Sequence, residues 1–467
     1  MLFSSFTFLC FFLPIIVGVY YVLPCLLRNT FLLLASLFFY GFANTAHLSV
    51  MIMIVSGVYG GTLLMDRFRH NLGRKIILTL TASFVLGVLF FYKYMNFTQE
   101  NIRYFLKTDP VFSEIILPIG ISFYTFQALS YLFDVYSYKT VVQKNYFRLL
   151  LYISLFPQLV AGPIVRYTDV ALQLVKRHHS LFRVKTGFNR FLIGLGKKVI
   201  LANILAETAD KIFSTEPTAL SVSSAWVGMA FYSLQLYFDF SGYSDMAIGL
   251  GRMFGFKFLE NFNYPYVSKS ITQFWRRWHM SLSGWFKEYV YIPLGGNKKG
   301  LSRTLINLAF VFLLTGIWHG AAWTFIIWGL WHGFFIICEK IVKKIVGQND
   351  IKMFYVLPHL YTLLIVMIGW VFFRSDTLSY AYSYILLLFG MIETIPNYGM
   401  GYYVQNGDWI ILGISCFAAV GGFKWLLSKM RFKGADILLG IYAWFVGVLS
   451  VCFLTACGYN PFIYFQF

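Results

Sequence analysis

Three of the eight histidines in this 467-residue chain stand in settings that could do chemistry. His279 lies in FWRRWHMSLSGWF, His319 in GIWHG (316–320) and His332 in the near-copy GLWHG (329–333). An imidazole can take a proton from a hydroxyl near neutral pH. Acyl transfer from a thioester to a hydroxyl needs little more: one base, one donor for the oxyanion, and exclusion of water. A tryptophan N–H, an amide or a second imidazole can be that donor. Other chemistries lack their motifs. There is no G-x-S-x-G elbow, no P-loop, no G-x-G-x-x-G after a strand and no H-E-x-x-H. The six cysteines show no CxxC spacing, so neither a disulfide framework nor a metal site is expected.

The residues around each histidine separate them. Ala321 and Ala322 follow His319 and leave room beside its ring, whereas Phe334 and Phe335 follow His332. This favours His319 as the working residue and His332 as a satisfied structural histidine. The glycines of both motifs have G-x-x-x-G spacing and can act purely as packing devices. For His279, a helix can be drawn through 271–292. Ser270 and Gln273 have capping-box spacing at its start, and Pro293, Gly295 and Gly296 stop it. At 100° per residue, Trp275, Trp278, Leu282, Trp285, Phe286 and Tyr289 share one face; Arg276, Arg277, Lys287 and Glu288 share the other. His279 falls on the aromatic side. An interfacial amphipathic helix explains the tryptophans and arginines, a buried working site explains the histidine, and spacing leaves both open. A third polar cluster, YFDFSGYSDMAIGLG (237–251), carries Asp239 and Asp245; hydroxyls close at hand favour a structural network there.

These groups must be positioned by membrane helices. The chain is 58% hydrophobic, 20% aromatic and only 12% charged, and apolar runs of about 20 residues recur throughout. The pattern predicts a single-domain (1–467), all-α polytopic membrane protein with about 11–13 transmembrane helices plus re-entrant segments. Expected spans are 5–27, 31–44, 46–65, 76–95, 115–135, 190–206, 222–250, 303–318, 321–340, 353–373, 409–427 and 436–457. Basic loops at 66–75, 137–148, 176–185, 297–303, 340–352 and 424–433 all fall on the cytoplasmic side if both termini are outside. The net charge of +19 is accounted for by these loops and by anionic lipid heads, with no nucleic acid. The N-terminus lacks a basic n-region and a cleavage site, so it reads as a retained anchor. Segment 149–167 is apolar but lies between basic loops and is broken by Pro157, Gly162 and Pro163; it reads as re-entrant, as does the His279 segment.

YFDFSGYSDMAIGLGRMFGF, NFNYPYVSKSITQFWRRWHMSLSGWFKEYVYIPLGGN, LTGIWHGAAWTF and the terminal YNPFIYFQF together resemble the bacterial branch of the membrane-bound O-acyltransferase family. Within it the likeness is greatest to the alginate and peptidoglycan O-acetyltransferase membrane subunits. The resemblance covers essentially the whole chain. It implies an annular bundle around a central tunnel in the bacterial cytoplasmic membrane. It also implies that His319 is catalytic with His279 as its companion, and that the acyl donor is a cytoplasmic thioester, acetyl-CoA, with no permanently bound cofactor. The acetyl group would pass to an extracytoplasmic, SGNH-like esterase-type partner that acetylates a polysaccharide. Arg276, Arg277, Lys298 and Lys299, with Trp275 and Trp278, are the expected donor-binding residues, although lipid heads would attract the same cations. In related envelope systems a C-terminal tyrosine is proposed to carry the acyl group; Tyr464 is the matching position. An aromatic membrane anchor is the competing reading of that tail.

A secondary transporter or polymer flippase is the alternative from another class. Transporters commonly carry paired repeats, and none is found here. A non-catalytic assembly subunit is a third reading.

Overall fold

The structure is a computed structural model that describes residues 1–42, 44–68, 71–107, 112–346, 356–429, 435–456 and 458–461. It is helical, with no strand among the described residues. Among the described residues six helices are long and apolar enough to cross a membrane: Thr45–Arg67, Leu72–Leu106, Gly300–His319, Trp323–Val346, Leu357–Arg374 and Ile437–Ala456. Phe8–Val22 and Leu378–Leu388 are shorter apolar helices. This is a multi-pass membrane protein. Several expected spans take other forms. Segment 115–135 becomes the 16-residue helix Ile121–Tyr136, buried along almost its whole length. Segment 190–206 becomes Leu181–Gly196, a π-helical stretch Lys197–Ala202, and Asn203–Phe213. A helix walled in by protein, as Ile121–Tyr136 is, needs neither the length nor the uniform apolarity of a lipid-facing span.

Packing divides the chain into two compact units. The first comprises Met1–Phe191 with Tyr243–Leu259. In it Thr45–Arg67 packs closely on Asn71–Leu106: a Cβ at Gly57 would lie 2.5 Å from the Phe84 ring, and one at Gly61 2.3 Å from Thr81 Oγ1. Small residues four apart let two helices approach backbone to backbone. The expected re-entrant segment is indeed broken, into Tyr146–Ser154, Phe156–Leu159 and an irregular stretch to Arg166, and residues 149–165 are all buried. Non-helical backbone at membrane depth needs such enclosure. Asp245 is paired here with Arg190 at 2.7 Å.

The second unit, Leu192–Gly242 with Glu260–Phe467, holds all three histidines. Its centre is a hairpin of Gly300–His319 and Trp323–Val346, against which Leu357–Arg374 and the short helix Ile271–Trp275 pack. The two histidine motifs meet glycine to glycine. A Cβ at Gly316 would sit 2.4 Å from the Phe325 carbonyl oxygen, and one at Gly329 2.4 Å from that of Phe312. The packing role expected of these glycines is what the hairpin uses. Asp239 is paired with Lys198 at 2.8 Å. Both carboxylates of the third polar cluster thus have cation partners.

Candidate functional site

The single helix expected over 271–292 is not formed. Ile271–Trp275 ends after little more than one turn, His279 adopts left-handed backbone (φ 42°, ψ 55°), and Met280–Phe286 then leads into a π-helical stretch, Lys287–Tyr291. Left-handed backbone at a non-glycine residue costs about 1–2 kcal/mol, so something must hold it. The holder is the segment 261–263. Met280 N donates to the Asn261 carbonyl (2.9 Å) and Asn263 N to the Arg277 carbonyl (2.9 Å). The helix start is as expected, with Gln273 N donating to Ser270 Oγ at 3.0 Å. A second cap comes from far away: the Glu339 carboxylate accepts from Ile271 N (2.5 Å), Thr272 N (3.0 Å) and Thr272 Oγ1 (2.7 Å). A carboxylate at a helix start satisfies orphan N–H groups and suits the helix dipole.

Asn261 also fixes the chemistry of His279. Its Oδ1 accepts from Ser281 N at 3.2 Å and Ser281 Oγ at 2.9 Å, and lies 3.1 Å from His279 Nδ1. The Ser281 backbone N–H can only donate, so that atom is the amide oxygen and Nδ1 carries the proton facing it. His279 lies outside the six candidate spans and is fully buried; burial pushes its imidazole down to about 3, so the ring is neutral. Nε2 is therefore the lone-pair nitrogen: His279 presents a proton acceptor, not an oxyanion donor.

His319 is the last residue of Gly300–His319, and Gly320 beyond it is extended. Its ring lies 5.0 Å from Trp318, 4.7 Å from Trp328 and 5.4 Å from Phe373, centroid to centroid. Trp318 is also 6.2 Å from His279, whose other neighbour is Phe240 at 4.7 Å. One tryptophan thus borders both histidines. His332 is enclosed by Phe274, Trp275, Trp328 and Trp370 at 5.3–6.3 Å, with Gly369 backbone against Nε2. It is structural in position, but the satisfaction expected of it is not found: among the described residues neither ring nitrogen has a hydrogen-bond partner. Of the two phenylalanines that follow it, Phe334 is 59% exposed and does not wall it in, whereas Phe335 is half-buried. The wall comes from other helices.

Trp275 and Trp278 are buried in this aromatic cluster, Trp275 beside Trp328 (5.7 Å) and Trp278 beside Trp370 (5.0 Å). The expected donor-binding cations are placed apart from the ring cluster in burial. Arg276, Lys298 and Lys299 are exposed, and Arg277 is half-buried with Nη1 donating to the Asn263 carbonyl at 3.2 Å. Tyr464 lies outside the described residues. Among the described residues no cluster of His, Cys, Asp and Glu could hold a metal. Sequence reasoning missed Asn261, Glu339 and Trp328; the indole N–H groups of Trp328 and Trp275 are buried and lack an acceptor among the described residues. Only the polarity of Asn261 and Glu339 between apolar runs could have singled them out.

Comparison with known proteins identifies the family. The sequence profile of the membrane-bound O-acyltransferase family matches residues 84–382. A probable alginate O-acetylase AlgI of Pseudomonas putida is 41% identical, with both chains covered in full. That of Azotobacter vinelandii is 42% identical over 83% of this chain and 78% of its own. A peptidoglycan O-acetyltransferase of Helicobacter pylori is 36% identical over 84% of this chain and 80% of its own. The chain belongs to the membrane-bound O-acyltransferase family.

Proposed function

We propose that the protein moves an acetyl group from a cytoplasmic thioester, acetyl-CoA, to an acceptor on the outer side of the bacterial cytoplasmic membrane, for O-acetylation of an envelope polysaccharide of the alginate or peptidoglycan kind. The observation that carries this reading is the buried pair His279 and His319 on either side of Trp318, in a chain similar along its length to O-acetylating enzymes. His319 takes the proton from the acceptor hydroxyl as its oxygen attacks the thioester carbonyl. The C–S bond then breaks, and the thiolate leaves with the proton held on the imidazolium. His279, neutral with Nε2 as acceptor, orients the attacking hydroxyl. The oxyanion donor is the buried N–H of Trp328, whose ring lies beside His319 and which lacks an acceptor among the described residues. The exposed Arg276, Lys298 and Lys299 and the half-buried Arg277 suit the phosphates of the coenzyme.

The first acceptor is the Tyr464 hydroxyl, whose aryl ester is a good acyl donor to an SGNH-like partner outside. With both termini outside, the tail stands on the partner's side. Tyr464→Phe keeps the ring and removes only the hydroxyl. Polymer acetylation in cells carrying this variant should be lost. Wild-type acetylation would return the tail to an anchoring role and give the acceptor role to the partner's own hydroxyl.

A further inference from the structure

Residues Tyr459–Pro461, just beyond the helix Ala435–Ala456, are gripped by side chains from distant parts of the chain. Lys198 Nζ donates to the Pro461 carbonyl. Asn203 Nδ2 donates to the Tyr459 carbonyl (3.3 Å) and to Asn460 Oδ1 (3.2 Å). The Tyr459 hydroxyl donates to Asp210 Oδ2, and the other oxygen of Asp210 accepts from Arg374 Nη2 at 2.8 Å. Behind these contacts lies the Lys198–Asp239 pair, with both side chains 2% exposed. Lys198 also donates to Asn203 Oδ1 at 2.8 Å.

This is a costly way to build a simple anchor. A buried ion pair often contributes no more stability than apolar residues of the same volume, and its best-attested use is to specify a geometry. The chemistry here is specific to the tail. An ammonium has three N–H donors and no acceptor, whereas proline offers a carbonyl and no N–H. Asn203 Oδ1 and the Pro461 carbonyl accept from Lys198 while the Asp239 carboxylate balances its charge, so the tail helps complete the shell of a buried charge. The backbone is arranged to the same end. Lys198 is presented by the π-helical stretch Lys197–Ala202, a form that recurs at functional sites. Gly242, three residues past Asp239, lets the two segments touch: a Cβ there would lie 2.8 Å from the Gly194 carbonyl oxygen and 3.0 Å from Lys198 N.

We propose that Lys198, Asp239 and Asn203 form a dock for the C-terminal tail. They are positioning residues that hold Tyr459–Pro461 in place. The dock stands on its own contacts; its effect on acyl transfer rests on the Tyr464 reading. The test uses the full-length protein in membranes, with Phe467→Cys introduced after replacement of the native cysteines. Two readouts are taken: the rate of labelling by a membrane-impermeant maleimide, and polymer acetylation. Lys198→Met/Asp239→Leu removes both charges together and avoids stranding one; Asn203→Ala removes tail contacts without touching either charge. With an unchanged thermal unfolding midpoint as the check on folding, the double variant should label at least about tenfold faster and lose acetylation to a similar degree. Asn203→Ala should shift both readouts the same way, by less. Unchanged labelling in both variants overturns the dock, even if acetylation falls. A released tail with full acetylation establishes the dock and instead overturns Tyr464 as carrier.

Discussion

GIWHG and GLWHG differ at one residue and pack against each other glycine to glycine, yet they put their histidines to different uses. The first motif closes a helix. Gly320 turns extended, and His319 is left at the helix end beside Trp318, within one ring of His279. The second lies inside a helix that continues to Val346, and His332 is enclosed there by Phe274, Trp275, Trp328 and Trp370. The residues after each histidine differ, Gly-Ala-Ala against Gly-Phe-Phe-Ile, and the chain leaves the helix at Gly320 but runs on helical through Gly333. The second half supports the first. Its helix also carries Glu339, which holds the start of Ile271–Trp275 and with it the approach to His279.

The contrast can be sharpened by substitutions on the His319 side and at its supports. The largest of these effects belongs to His279→Ala, which removes the acceptor Nε2. It should lower the rate of acetyl transfer by about 10³-fold, the scale of a lost acid–base group. A fall of only a few-fold would make His279 a packing residue. Trp328→Phe keeps most of the ring and deletes the N–H. A loss of about 10² in kcat with KM unchanged is the signature of an oxyanion donor, and an effect on KM alone would exclude that role. Glu339→Gln keeps one acceptor for the Ile271 and Thr272 N–H groups. Losing part of a charge-assisted cap worth about 1.5–3 kcal/mol should cost about tenfold in rate. If the rate is unchanged, the cap does not transmit to His279.

Much of this was legible in the sequence, for local reasons. Glycine spacing foretold the close packing of the hairpin, whereas the wall around His332 came from elsewhere than Phe334. The cations Arg276, Lys298 and Lys299 were expected outward and are exposed. The features that escaped depend on partners far along the chain. No glycine or proline marks the break at His279; it is stabilised by Asn261, 18 residues earlier. Lys198 reads as one of two adjacent lysines in an apolar run, and its partner Asp239 stands in another helix. Helical periodicity reports which face is apolar, but not which distant group completes a buried polar atom.

The most direct measurement compares His319→Ala with His332→Ala for acetyl transfer per folded molecule, in purified protein supplied with acetyl-CoA and the partner. The His319 variant should lose at least about 10³-fold in rate while unfolding at the wild-type temperature. The His332 variant, with no hydrogen bond to lose but a packed ring removed, should unfold earlier, by about 2–4 kcal/mol of stability, and keep its rate within a few-fold. Equal losses of rate in the two variants, or wild-type transfer by His319→Ala, would contradict the assignment of the chemistry to the first motif.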